Sequence, residues 1–271
     1  MINYLPGLEA GQKIDLDRFK KTEKINWESF LPFLKTELAK MSQDVNERYG
    51  NFLNPEGKII LAGEDAKSDQ ELVKVQEDTL RGSKSLENWR LDREKNPAEI
   101  AEMALALVIN KFLGADFIVA RASNYDDYNS GVDLVVIDKK TGDVVCGFDD
   151  VLGNIGDDGG AKKEVKMTNF RKKGGAKIKY GATIKDGELI RQAAQGIPAF
   201  YLSLSQVELG ELLTALKTGE PITPAENKIF NKLVASLEEQ AALAKDNWAL
   251  KAKTNLVLEK LHAASRLQVA A

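Results

Sequence analysis

The chain has 271 residues and a formal net charge of −3, enough length for one large domain or for a core with helical additions. That charge excludes attraction to nucleic acid by bulk charge, so any such contact has to come from a local basic patch. A single cysteine and a single histidine exclude a disulfide framework and a His-rich zinc site, and leave little room for a histidine-based hydrolase triad.

Taken in order, the opening MINYLPGLEAGQKID has no basic start followed by an apolar run, so no signal peptide is expected. No membrane span is expected either, because no apolar stretch approaches about 18 residues. The expected setting is the cytoplasm. Residues 1–22, interrupted by Pro6 and Gly7, read as an arm or loop. A helical pattern then starts at Trp27 and continues through Phe30, Leu31, Leu34 and Leu38, with Pro32 in its first turn. Asn54-Pro55-Glu56-Gly57 is a turn, and 58–61 is either a short strand or an anchor. Leu72, Val75 and Leu80 repeat at helical spacing behind Ser68 and Asp69, which suit a cap, and 84–95 continue the helical character. Residues 1–95 are therefore expected to form a helical N-terminal extension.

The core is expected at 96–219. Asn96 and Pro97 suit the N-cap and first position of a helix that Gly114 ends. Short strands are expected at 117–120, 134–137 and 144–148, with a polar turn at 123–131 and a hairpin turn at 138–143. Residues 153–160 read as a glycine-rich loop without the Gly-Lys-Ser/Thr ending of a phosphate-binding loop. A strand or strand pair is expected at 177–184, a short element near 187–191, and an apolar strand at 197–204 followed by a helix capped by Ser205. Thr223 and Pro224 open a C-terminal helical region, 220–271, of one long helix or two, through which a homodimer could form. The expected class is α/β: a mixed sheet flanked by helices, with helical extensions at both ends.

Acidic residues gather where the core elements begin and end. Glu99 and Glu102 lie three apart, on one side of a helix. Asp126 and Asp127 fall in the polar turn, Asp133 opens the second strand, and Asp149 and Asp150 close the third. Asp133 interrupts an apolar run two residues after a glycine that lets another group approach closely. A buried carboxylate of this kind needs a cation or a set of donors. Antiparallel hairpin neighbours place the start of one strand beside the end of the other, so Asp133 and Asp149 fall at one edge of the sheet. Oxygen ligands in this arrangement suit Mg2+ or Mn2+. The alternative is a structural cluster in which the acids serve helix ends and turns. Cys146, inside an apolar run, reads as a small buried residue.

Gly131-Val132-Asp133-Leu134-Val135-Val136-Ile137 and Val144-Val145-Cys146-Gly147-Phe148-Asp149, behind a helix bearing Glu99 and Glu102, resemble the PD-(D/E)XK nuclease superfamily. The resemblance implies a restriction-endonuclease-like core of helix and three strands, with metal held by Asp133, Asp149, Asp150, Glu99 and Glu102. It also implies a lysine two positions after the second acid, where this chain has Val151 or Leu152. Lys163 or Lys166 could reach back from another element to replace it. The surrounding basic run, Lys162, Lys163, Lys166, Arg171, Lys172 and Lys173, continuing to Lys177 and Lys179, suits phosphate contacts, or else a solvated surface. Two functions follow: a metal-dependent phosphodiesterase acting on DNA or RNA, or a catalytically inactive nuclease-like fold that binds nucleic acid or protein.

Overall fold

The N-terminal periodicities resolve into three helices. In the computed structural model, which describes residues 25–153, 158–219, 222–242 and 248–269, a 3-10 turn at Trp27–Phe30 leads into α1 (Leu31–Tyr49), with Pro32 in its first turn. The expected arm at 1–22 lies outside the described residues. α2 (Ala66–Arg81) starts ahead of Ser68 and Asp69 and uses neither as a cap. The Asp69 carboxylate instead accepts from the buried Tyr180 hydroxyl at 2.5 Å and pairs with Lys179 at 2.7 Å. A buried hydroxyl needs an acceptor, and that need outweighs capping. α3 (Leu86–Glu94) is capped by Ser85. Residues 58–61 act as the anchor: Ile59 N donates to Arg121 O, and Arg121 N to Gly57 O.

α4 (Pro97–Leu113) begins as expected, with Asn96 Oδ1 accepting from Ala98 N at 3.0 Å. β1 (Phe117–Arg121) follows. The expected polar turn at 123–131 is a helix, α5 (Asn124–Ser130), so Asp126 and Asp127 are helical. Ser123 Oγ accepts from Asp126 N, and Gly131 ends the helix at φ 60°. Tertiary contact holds it: the Asp126 carboxylate accepts from Lys179 N at 2.7 Å and Tyr180 N at 3.0 Å. β2 (Leu134–Asp138) and β3 (Val144–Leu152) come next. β3 runs past its expected end, so Asp149 and Asp150 lie inside a strand rather than closing it.

The basic segment is mostly helical, α6 (Asp158–Lys172); part of the expected loop, residues 154–157, lies outside the described residues. The expected strand at 177–184 is two strands in two small sheets. β4 (Ala176–Ile178) and β5 (Ala182–Lys185) belong to different pairs, β5 with β6 (Glu188–Arg191) and β4 with β7 (Ala194–Ile197). Pro198 separates β7 from β8 (Ala199–Leu204), dividing the expected strand at 197–204. α7 (Gln206–Lys217) carries a capping box between Ser205 and Glu208. The C-terminal region is two helices, α8 (Pro224–Ala242) and α9 (Trp248–Val269).

The central sheet has the order β1-β2-β3-β8. The first three strands form an antiparallel meander and β8 joins β3 in parallel, from Gly147↔Ala199 to Leu152↔Leu204. That parallel ladder extends β3. The outer edge of β8 is closed by α8: Gln240 exchanges hydrogen bonds with Tyr201 N and O at 3.0 and 2.9 Å. On one face α4 is buried over most of its length, among Leu134, Val136, Cys146 and Phe148 from the sheet and residues of α1, α7, α8 and α9. On the other face Ile118, Val135 and Ile137 meet Met167, Ile178 and Tyr180. The fold class is α/β, a mixed sheet with flanking helices, as expected. Among the described residues no helix is long and apolar enough to cross a membrane.

The terminal helices spend much of their apolar surface on this core. Phe230 of α8 stacks on Phe112 of α4 at 3.9 Å between ring centroids and is 1% exposed. We expect Phe230→Ala to lower stability by about 3–5 kcal/mol, measured by urea denaturation. Circular dichroism and tryptophan fluorescence should report one shared transition. Two separate transitions would show α8 to be an independent unit.

Candidate carboxylate site

The site begins with a buried cation. Arg121, the last residue of β1, is 1% exposed. Strand alternation turns it to the α4 face, because Phe117 and Val119 pack there. Its Nε donates to Glu102 Oε1 at 2.7 Å and its Nη2 to Glu99 Oε1. The two glutamates, three apart on α4, share this one guanidinium. Glu99 Oε2 also accepts from Arg93 Nε at 3.1 Å. Arg93 reaches on to Asp127 at 3.0 Å and to the Tyr128 hydroxyl. Lys58, 6% exposed, donates to Asn124 Oδ1 at 2.9 Å and lies 3.9 Å from Asp127. Burial pushes Glu99 up, but Arg121, Lys58 and Arg93 outweigh it and hold it at about 2. Burial pushes Glu102 up to about 7, against the pull of Arg121.

The second part of the site joins the meander to β3. Asp133 Oδ2 accepts from Asp150 N at 2.8 Å. Asp150 shares its strand face with Phe148 and its register with Leu202, both in the α4-side core, so it belongs to the side of Glu99 and Glu102. Burial raises the Asp150 carboxyl well above the usual range, and the neighbouring charges of Asp133, Glu102 and Glu99 raise it further. Asp127 is raised too, by burial first. Two carboxylates drawn together, with a third and fourth close enough to repel them, is the electrostatic condition that a cation relieves.

Asp149 goes the other way. It pairs in register with Tyr201, which packs on the opposite core, and its Oδ2 pairs with Lys166 Nζ of α6. Lys166 also donates to Gly131 O at 2.6 Å. A Cβ on Gly131 would run into the Lys166 ammonium, so this glycine admits the lysine as well as supplying the left-handed turn. The charges of Asp133, Asp127 and Asp150 bear on Lys166, whose pKa burial pulls below its ordinary value. Lys166, one of the two lysines expected to reach back, therefore meets Asp149. The side chains of Lys162 and Lys163 lie outside the described residues.

The remaining basic residues divide. Lys172, Lys173 and Lys177 are exposed and Arg171 is half-buried. Lys179 is occupied by Asp65 and Asp69 at 3.1 and 2.7 Å. The Cys146 thiol is buried and pushed up by burial. His262 pairs with Glu238 between α9 and α8 at 2.8 Å, outside the site. Among the described residues no three Asp, Glu, His or Cys side chains stand in a geometry that encloses a metal ion. Asp133 and Glu102 bear electrostatically on Asp150, and the donors of all three are oxygen, suited in kind to Mg2+ or Mn2+. Sequence reasoning missed Arg121, Arg93 and Lys58. Arg121 was legible as a charge ending an apolar strand pattern; the other two carry no local signal.

The sign of the Glu99 shift gives a test. Its folded value lies below the ordinary 4.5, so its stabilising effect is complete above that pH and is lost as pH falls from 4.5 toward 2. Glu99→Gln should destabilise by roughly 1.5–3 kcal/mol at neutral pH. The gap to the native chain should close within that acid window, read from urea titrations at both pH values. A gap indifferent to pH would show that charge is not what Glu99 contributes.

No protein-family model, curated protein or solved structure matches this chain.

Proposed function

We propose that the chain is a metal-dependent phosphodiesterase acting on nucleic acid. The observation that supports this reading most is the gathering of Asp133, at the mouth of β2, with Asp150 of β3 and Glu102 of α4, while Lys166 of α6, held by Asp149 and Gly131 O, feels the charges of Asp133 and Asp150. The order helix, three-strand meander, helix, parallel strand, formed by α4, β1, β2, β3, α6 and β8, agrees with the resemblance to the PD-(D/E)XK nucleases. Asp133, Asp150 and Glu102 would hold Mg2+ or Mn2+. Such an ion supplies Lewis acidity at a phosphoryl oxygen and a water of lowered pKa.

The chain's own residues have separate tasks. Lys166 offsets the negative charge that grows on the phosphate as its bond to the leaving oxygen breaks. Asp149 and Gly131 O hold that ammonium in place. Arg121 fixes Glu102 and keeps its partner Glu99 ionised. The exposed Lys172, Lys173 and Lys177 contact backbone phosphates without reading sequence.

A second reading has its own observation. Val151 and Leu152 stand where the motif lysine belongs, and Arg121 already neutralises Glu99 and Glu102. These features favour a nuclease-like module that binds without cutting. Incubation of single- and double-stranded DNA and RNA with Mg2+ or Mn2+ separates the two. Cleavage is expected, and Asp133→Asn and Lys166→Met should each slow it by about 100-fold or more while leaving the fold intact. Binding of the same substrates with no cleavage under either ion would establish the second reading.

A further inference from the structure

Against the carboxylates lies a cavity of about 290 Å3 between α1, α3 and the 54–58 segment, with Glu99 and Arg121 in its lining. These two residues also belong to the carboxylate cluster, so whatever fills the cavity lies against that cluster. Its volume sits at the lower edge of small-molecule pockets, suited to one nucleobase with its sugar and too small for a base pair. Its walls combine a flat aromatic, Trp89, with the apolar side chains of Leu38 and Met103. The Arg93 guanidinium stacks 5.7 Å from the Trp89 ring centroid and fixes the indole. Polar groups of Lys58 and Asn124 line the same space.

The rim carries two part-exposed cations, each paired with a glutamate of the same lining. The side chains of Arg90 and Lys35 are 57% and 46% exposed; Arg90 pairs with the buried Glu77 at 2.9 Å and Lys35 with the exposed Glu94 at 2.7 Å. The Lys35–Glu94 pair, exposed on both sides, is weak, so a phosphate can compete for Lys35, and the Arg90 side chain, more than half exposed, can meet a phosphate beside its bond to Glu77. An aromatic wall, apolar sides, polar base-edge partners and rim cations are the elements of single-strand recognition, in which an unstacked base lies on a side-chain ring and the backbone runs past basic groups.

We infer that this cavity receives one unpaired base of the nucleic acid, so that the substrate is single-stranded or frayed rather than continuous duplex. This rests on the phosphodiesterase reading of the adjoining carboxylates. Trp89 supplies the stack, and Arg90 and Lys35 take the neighbouring phosphates.

The test measures equilibrium binding of the full chain to a single-stranded oligonucleotide and to a blunt duplex of the same sequence, with Ca2+ to avoid cleavage. The native chain is expected to prefer the single strand. Trp89→Ala should weaken single-strand binding by about tenfold and leave duplex binding unchanged, whereas Trp89→Phe should keep most of the affinity. Lys35→Ala, at the exposed rim, should weaken the single strand severalfold, and it carries the test should the Trp89→Ala chain fail to fold. Equal affinity for the two substrates, or affinities untouched by these variants, would overturn the pocket while leaving the phosphodiesterase reading standing. Absence of binding to any nucleic acid would overturn both.

Discussion

A guanidinium buried at the end of β1 is the constraint on which the site depends. Arg121 is 1% exposed, and an unpaired charge at that depth is costly. It is stabilised by two carboxylates on one face of α4, and they are stabilised by it. The interaction therefore sets how α4 lies across the sheet, because Glu99 and Glu102 reach one guanidinium only when their helix face is turned toward β1. Removing either side strands buried charge. The same interaction keeps one glutamate ionised while the other is pushed up to about 7. Neighbouring residues of one type thus have different acidities for reasons of position alone.

Around this pair the chain distributes positive charge with care. Arg93 and Lys58 approach from the N-terminal region, and Lys166 approaches from α6, so the carboxylates of α4, α5 and β3 meet cations from three separate segments. The N-terminal helices are thereby more than an appendage. They pack on the core through Leu34, Leu38 and Met41, and they supply charge to the site. The glycine at 131 serves two physical purposes, the left-handed turn that ends α5 and the space into which Lys166 inserts.

The sequence was most legible where periodicity and capping agree. Asn96 and Pro97 announce α4, Ser205 announces α7, and the runs at 117–120 and 134–137 announce β1 and β2. It was least legible where tertiary partners decided. Asn124–Ser130 has no apolar period, and its helix depends on Asp126 accepting two backbone N–H groups from the chain some fifty residues later. Asp149 and Asp150 read as strand-end residues because nothing local says that β8 will pair alongside and prolong β3. Once the strand continues, alternation sends the two aspartates to opposite faces, and only Asp150 stays with Asp133.

The sequence by itself determined the α/β class, the helical character of both flanks, and the acid at the mouth of β2 two residues after a glycine, because these rest on local pattern and side-chain chemistry; Asp133 itself is half-buried rather than buried. Only the tertiary structure decided which acid faces which cation. It turned Asp149 toward Lys166, gave Glu99 and Glu102 to Arg121, and brought Lys58 and Arg93 across from the N-terminal region. Charge pairing inside a fold depends on distance in space and on desolvation, and neither quantity is carried by neighbouring residues along the chain.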